Sequence, residues 1–518
     1  SLSAAVLQGL QALETFPDDF TEPVVSRLLA NAAAYRALKD FNLQAPDLQT
    51  SLERNIRTDL RRLLDLQSYD GGWNWSTQAN ESDARLSAYA LIALMQASQA
   101  DFFVNPDTIQ RVQAFLVTQV KPVAAESDNA ALEVQTLVMY ALQVSGRTGL
   151  NLDDLYTLRE KLSPASKALL ALALEGQTPG DERARSLASD LAGLADRSAT
   201  GASWQPAVDD WRNWSTPIFT TSVVTYALAR LDPASPLLTD ALRYIVLQRR
   251  PSGCWSSSYD SAWALLALSQ ALTSTGDLQA SFNYQASLND ALLASGSANG
   301  PQGALTPVTA AAPLSQLLPD APNALKISRD PGEGRLYYRA FLEVGRPAGD
   351  APAVSSGVSV QREYFTAGQD CRTVTCTPVK EAELSSASGL VVRLTVTLPK
   401  DMYYLVVEDS VPAGTEIVDP NLKTSRQGFV DENLPADQQY DPSDPFRGGW
   451  GWWYFGPAQT SDSGARWMAP SLPAGTYTLT YRLSPSLAGE FQVIPAHAFM
   501  YYFPDVQGRS AGDVLSIR

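Results

Sequence analysis

The feature that most constrains this chain is a unit that recurs through its first half: a glycine–tryptophan turn, a polar spacer, then a helix built of alanine and leucine. One copy runs Gln67-Ser68-Tyr69-Asp70-Gly71-Gly72-Trp73-Asn74-Trp75 and leads into Asp83 to Leu94. Another runs Gln248-Arg249-Arg250-Pro251-Ser252-Gly253-Cys254-Trp255 and leads into Asp260-Ser261-Ala262-Trp263-Ala264-Leu265-Leu266-Ala267-Leu268. A degenerate copy is Gly201-Ala202-Ser203-Trp204, with Trp211 and Trp214 ahead of Thr221-Ser222-Val223-Val224-Thr225-Tyr226-Ala227-Leu228. Glycine permits a sharp turn at a helix start, and the tryptophan caps the next helix pair. Helical hairpins that recur in this way must bury one another's apolar faces, as a stack or as a closed ring.

From residue 1 to about 276 the apolar positions keep helical spacing, with alanine and leucine dominant and β-branched residues sparse. This predicts an α/α toroid of the terpenoid cyclase-like kind. Near residue 277 the period changes to alternation. Tyr284 to Leu293, Asn323 to Ser328 and Arg335 to Leu342 read as strands, and the Ala/Gly/Ser/Thr/Pro-rich stretch from Ala294 to Pro313 reads as loop. Gly345 to Pro352 has linker composition. From residue 353 onward everything is β, with strands at Leu390–Leu398, Tyr403–Asp409 and Gly475–Leu483, so an antiparallel β-sandwich follows the toroid. The fold class is therefore multidomain α and β.

A chain of 518 residues exceeds one core and divides into roughly two to four domains. A formal charge of −16 and a pI near 4.6 argue against nucleic acid as a partner, because phosphates would be repelled. No apolar run reaches about 18 residues, so no segment here spans a membrane as a helix. The opening Ser1-Leu2-Ser3-Ala4-Ala5 lacks the basic region of a leader and reads as a cut inside a longer protein. Cys371 and Cys376 lie close enough in sequence for a tight loop to close a disulfide, which would favour an oxidising compartment; two free thiols are the alternative. Cys254, beside Trp255, reads as a small buried hydrophobe.

The wording of several segments resembles the bacterial α2-macroglobulin family. Val24-Val25-Ser26-Arg27-Leu28-Leu29 and Tyr35-Arg36-Ala37-Leu38 are similar to the opening of its thioester domain. Val407-Glu408-Asp409-Ser410-Val411-Pro412-Ala413-Gly414 looks like the family's E-D-x-x-P-A-G turn. Pro473-Ala474-Gly475-Thr476-Tyr477, Gly489-Glu490-Phe491 and Tyr501 to Ser510 match as well. The resemblance covers essentially the whole chain. It implies a thioester-type domain over 1–276, a CUB-like β segment over 277–346 and a C-terminal macroglobulin domain, the receptor-binding-domain counterpart, over 353–518.

It also exposes a departure. In the family the turn before the first helix reads Pro-Tyr-Gly-Cys-x-Glu-Gln, and its cysteine and glutamine condense into a thioester that acylates a captured protease. Here the turn is Phe16-Pro17-Asp18-Asp19-Phe20-Thr21-Glu22-Pro23. Phe20 stands for the cysteine and Pro23 for the glutamine, so neither thiolate nor carboxamide is present. Thr21 and Glu22 complete the degenerate position. Glu22 is expected to cap a helix starting near Val24, and Phe20 to fill the apolar pocket that shields the family's thioester.

Other chemistry is weakly supported. The toroid holds no histidine, which excludes a His/Cys zinc site there, and Val208-Asp209-Asp210-Trp211 is not a cyclase aspartate motif in recognisable form. The single histidine, His497, lies in an alternating strand without a nucleophile beside it. Trp450-Gly451-Trp452-Trp453-Tyr454-Phe455 reads as a strand with Trp452 and Tyr454 on one face, carbohydrate stacking being the lesser alternative. The acidic loop from Asp431 to Asp444 has the oxygen density of a calcium site without its spaced ligands. The expectation is thus a non-enzyme without metal or cofactor: a thioester-less α2-macroglobulin in an extracytoplasmic setting. It would trap proteases non-covalently through a bait region outside this chain. The alternative is a structural or adhesive surface protein.

Overall fold

The computed structural model describes residues 2–14, 20–40, 45–75, 81–124, 126–207, 211–275, 280–300, 308–367, 376–384, 389–418, 451–456 and 458–518. The chain divides into two compact units, Ser1–Phe341 and Leu342–Arg518.

The first unit is led by helices: α1 (Leu2–Glu14), α2 (Thr21–Asp40), α3 (Pro46–Asp65), α4 (Ala84–Gln99), α5 (Pro106–Gln119), α6 (Asn129–Val144), the short α7 (Asp153–Thr157), α8 (Pro164–Gln177), α9 (Glu182–Gly193), α10 (Pro217–Leu231), α11 (Pro236–Leu247) and α12 (Ser258–Thr275). Their starts are written in the sequence. Asp83, Asp128, Ser163 and Thr216 each accept a backbone N–H from the first turn of α4, α6, α8 and α10, a bond worth about 1 kcal/mol.

Two kinds of helix alternate. α4 buries nearly everything from Arg85 to Leu94, whereas α3 buries only the stripe Leu52, Ile56, Asp59, Leu60 and Leu63. The buried helices pack in a cycle: α2 on α4, α4 on α6, α6 on α8, α8 on α10, α10 on α12, and α12 back on α2. The striped helices α3, α5, α9 and α11 lie against α2, α4, α8 and α10 respectively. An all-round apolar surface suits a helix with neighbours on every side, and a single stripe suits one facing solvent.

The repeated turn is one device used at three places. The indole N–H of Trp73 donates to Leu63 O of α3 at 2.8 Å, Trp204 to Leu191 O of α9 at 2.7 Å, and Trp255 to Ile245 O of α11 at 2.7 Å. The backbone N–H of the same residues donates to a hydroxyl on the following buried helix: Ser87 at 2.8 Å, Thr221 at 3.1 Å and Ser261 at 3.1 Å. Each tryptophan thus ties the end of an outer helix to the start of an inner one. The glycine ahead of it is obligatory: Gly201 has φ +127°, and a Cβ there would lie 2.2 Å from Asp240 O.

A small antiparallel sheet completes this unit, in the order Ala291–Asn299, Ser281–Leu288, Leu325–Arg329. Here the alternation reading needs correction. Tyr284 to Leu293 is not one strand, because Asn289 and Asp290 take φ of 48° and 66° and reverse the chain. Short polar side chains tolerate that conformation, so a hairpin forms and its second strand runs through Ala294 to Asn299, which composition marks as loop. Arg335 to Leu342 alternates but forms no strand.

In the second unit one sheet runs Gln459–Ser461, Gly464–Leu472, Met402–Ser410, His497–Met500, Phe503–Arg509, Val354–Ser356. A second runs Thr415–Ile417, Gly475–Pro485, Leu390–Leu398, Ser359–Thr366, and a third Gly489–Val493, Asp513–Ile517, Glu381–Ala382. Among the described residues the strands pair antiparallel except Asp513–Ile517 with Glu381–Ala382, and an isolated bridge from Gly357 to Gln507 is also parallel. In Leu390–Leu398 the residues Val392, Leu394, Val396 and Leu398 are buried, the period-two pattern of a strand with one covered face. Arg362 on the second sheet reaches Asp409 on the first at 2.7 Å, so these two sheets face each other across a buried ion pair.

Candidate functional site

The degenerate turn lies at the start of α2. Phe20 supplies the carbonyl that accepts the first helical N–H, from Val24 at 3.4 Å, and the helix begins at Thr21 rather than near Val24. Pro23 then falls in the first turn, where no N–H is required. The Phe20 ring packs on Trp75 with centroids 4.7 Å apart. Phe16 to Asp19, including Pro17, lie outside the described residues.

Glu22, expected to cap a helix starting near Val24, lies within the first turn of α2. It is fully buried, and its two oxygens accept from Ser26 Oγ within α2 and from Ser258 Oγ at the start of α12, the latter at 2.7 Å. Ser26 also bonds the hydroxyl of Tyr89 on α4 at 2.9 Å. The carboxylate therefore joins the first and last helices of the packing cycle. The N-terminal end of α2, where backbone N–H groups point outward, favours a negative charge there.

Around it the starts of the other buried helices bring further polar groups together. Arg85 of α4 is buried with its guanidinium over Trp214, Phe219 and Tyr259, at 5.4, 5.6 and 5.7 Å from the ring centroids. Its Nη2 donates to the Tyr259 hydroxyl at 3.2 Å. Trp214 holds the left-handed conformation at φ 57° while almost fully buried, which a bulky residue rarely does. Ser215 donates to Glu133 of α6 at 2.5 Å, and Thr216 donates to Asp260 of α12. Burial pushes the Tyr89 phenol well above its ordinary range, and the nearby Glu22 adds to this.

This cluster has carboxylates, hydroxyls, an arginine and aromatic rings. Cys254 is free, buried, and pushed up to about 11 by burial, so it is a thiol rather than a thiolate. Cys376 is disulfide-bonded, and Cys371 lies outside the described residues. Among the described residues no group of three or more His, Cys, Asp or Glu is arranged to hold a metal ion. Val208 to Asp210 and the Asp431 to Asp444 loop lie outside the described residues. Sequence reading singled out Phe20, Thr21, Glu22 and Pro23 but missed Arg85, Tyr89, Glu133 and Asp260. The available signal was the polar residues that open helices otherwise made of alanine and leucine.

The segments of the second unit that carry the family wording prove to be positioning devices. Asp409 accepts from Arg362 and, at 2.9 Å, from the Tyr481 hydroxyl. Gly414 has φ +80°, and a Cβ there would lie 2.4 Å from the Phe491 ring of Gly489-Glu490-Phe491, so two of the quoted segments meet. Tyr477 donates to Pro473 O at 2.7 Å, and Ser510 accepts from Ala496 N at 2.9 Å. His497 bonds Gln507 at 2.8 Å and stacks on Phe499; its burial lowers its basicity. The aromatic run is not a strand: Trp452–Tyr454 is a short 3-10 turn following Gly451 at φ +80°, with Trp453 and Tyr454 exposed and Phe455 buried.

Residues 357–505 match the family model for the bacterial α2-macroglobulin MG10 domain. The chain is 24% identical over 508 residues to an α2-macroglobulin homolog from Nostoc sp., covering 95% of this chain and 25% of that protein. It therefore spans about a quarter of the curated relative it matches. Among solved structures, native Escherichia coli α2-macroglobulin from domain MG7 to the C-terminus superposes with a TM-score of 0.68 at 16% identity, over 99% of this chain and 75% of that one. Salmonella α2-macroglobulin reacted with methylamine gives 0.65 at 16% identity, over 100% of this chain and 31% of that one.

Proposed function

We propose that this chain, which belongs to the bacterial α2-macroglobulin family, serves a protease trap that works without a covalent bond. The observation that carries the reading is the start of α2. There Phe20 and Pro23 hold the positions where the family resemblance places the thioester's cysteine and glutamine, and Phe20 is packed on Trp75. Cleavage of a bait region outside this chain would release strain and reorient the domains around the attacker. We read the cycle of buried helices as an α/α toroid, residues 277–346 as a CUB-like segment, and residues 353–518 as a macroglobulin sandwich. The packing of α12 on α2 supports the first, and the match over 357–505 supports the last. The setting would be extracytoplasmic, the partners proteases, and the protein not an enzyme.

The test is to incubate the full-length protein, bait included, with an active protease. We expect activity on large substrates to fall while activity on small ones persists, and no protease–inhibitor bond to survive a denaturing gel. A bond that survives, or labelling by a small amine, rules out non-covalent trapping. Equal activity on large and small substrates rules out trapping altogether and favours a structural or adhesive surface role.

Restoring the two residues is expected to be insufficient. In the Phe20→Cys, Pro23→Gln double variant, Asp18 and Asp19 still stand where the family has Tyr-Gly. Glu22 also remains committed to Ser26 and Ser258. Methylamine incorporation should stay well below the level of a thioester-bearing relative assayed alongside; matching levels would refute this.

A further inference from the structure

One titratable group left over by this reading is Asp260, in the first turn of α12. It is wholly buried. Its Oδ1 accepts from the Thr216 hydroxyl, whose own oxygen is occupied by the N–H of Phe219 at 2.9 Å, so the hydroxyl proton is directed at the carboxyl. Among the described residues its Oδ2 has no hydrogen-bond partner and the carboxyl makes no ion pair, although the nearby N–H of Phe219 favours the ionised form. A buried carboxylate so placed costs far more than the neutral carboxylic acid does.

The surroundings decide which form is held. From α2, Glu22 faces it with a like charge; from α4 comes Tyr89; from α11 comes Tyr244; from the preceding turn comes Arg250. On α6, Glu133 is bound to Ser215, next to Thr216. The acid of α1, Glu14, is engaged by Asn31 at 2.6 Å. Arg250 favours ionisation of the carboxyl, whereas Glu22 opposes it.

We propose that Asp260 is kept as a neutral carboxylic acid in the closed ring of helices, so that opening the seam where α12 meets α2 and α10 exposes an acid that then loses its proton. The seam is in this sense tightened by acid. Burial, opposed by the Thr216 hydrogen bond, reinforced by Glu22 and opposed further by Arg250 and the Phe219 N–H, pushes Asp260 up to about 7 from an ordinary 3.8. Below about 4 the carboxyl is protonated in closed and open states alike and opening carries no extra drive. Between about 4 and 7 only the open state gives up the proton, so the opening equilibrium rises about tenfold per pH unit. Above about 7 both states are ionised and the dependence levels off.

Native-state hydrogen exchange on the chain, corrected for intrinsic exchange rates, reads this directly. Protection at the starts of α2, α10 and α12 should fall with rising pH over that window and then level. Asp260→Asn, a neutral mimic of the acid, should remove about tenfold per pH unit from the slope. Thr216→Val, which deletes the hydrogen bond that favours the ionised form, should move the levelling point to higher pH. Equal wild-type protection at both ends of the window overturns the proposal without any variant. So does a slope that Asp260→Asn leaves unchanged, or a levelling point that Thr216→Val leaves in place.

Discussion

Replacing Asp409 with alanine is expected to destabilise the second unit by about 3–5 kcal/mol, a large part of the stability of a typical domain. Asp409 and Arg362 have side chains that are 0% and 2% exposed, so neither can turn to water when its partner is removed. Without the carboxylate, the Arg362 guanidinium keeps, among the described residues, Ile494 O at 2.7 Å and the Tyr364 ring, and the Tyr481 hydroxyl loses the acceptor it has in Asp409. Arg362→Ala should cost a similar amount, because it leaves the charge of Asp409 unmatched. The double variant Arg362→Met, Asp409→Leu should recover most of the loss, since an apolar pair avoids the desolvation that the ion pair must overcome. Denaturant unfolding followed by fluorescence, with Trp467 packed on Tyr481 as a local probe, measures all three. Single variants within about 1 kcal/mol of wild type would mean that the pair does not staple the sheets.

What the sequence disclosed, and what it hid, follows the range of the interactions. Asp83 capping α4 and the alternation of Leu390–Leu398 are local, and both are legible in a short window. The Gly–Trp turns were legible because the device is repeated. The misreadings fall where backbone conformation overrides pattern. Asn289 and Asp290 bend an apparent strand into a hairpin, and Gly451 turns an aromatic run into a 3-10 corner. The site was legible only as far as Phe20 to Pro23. Glu22 is explained by Ser258, 236 residues away, and Arg85 by Tyr259, 174 away; no spacing rule connects such pairs. The quoted family wording was legible as resemblance but silent about its cause. In this chain Asp409 holds Arg362 and Gly414 leaves room for the Phe491 ring, contacts that the wording alone does not disclose.

Trp73→Ala is expected to cost about 3–5 kcal/mol, and the loss should be felt throughout the helices rather than beside the turn. Trp73 is 0% exposed, so truncation leaves a cavity between α3 and α4. It also strands Leu63 O, which the indole N–H satisfied. Trp73→Phe keeps most of the volume but not that donor, and should cost about 1–3 kcal/mol. Distribution of the damage is the sharper test. In an open stack each repeat touches only its neighbours, so a weak repeat frays from the nearest end. Here α12 packs back on α2 and Glu22 bonds Ser258 across that junction, so the cycle of helices has no free end from which to fray. Hydrogen exchange in Trp73→Ala should therefore show α2, α6, α10 and α12 losing protection together. Loss confined to α3 and α4, with α10 and α12 as protected as in wild type, would show that the repeats unfold independently and that closure adds no cooperativity.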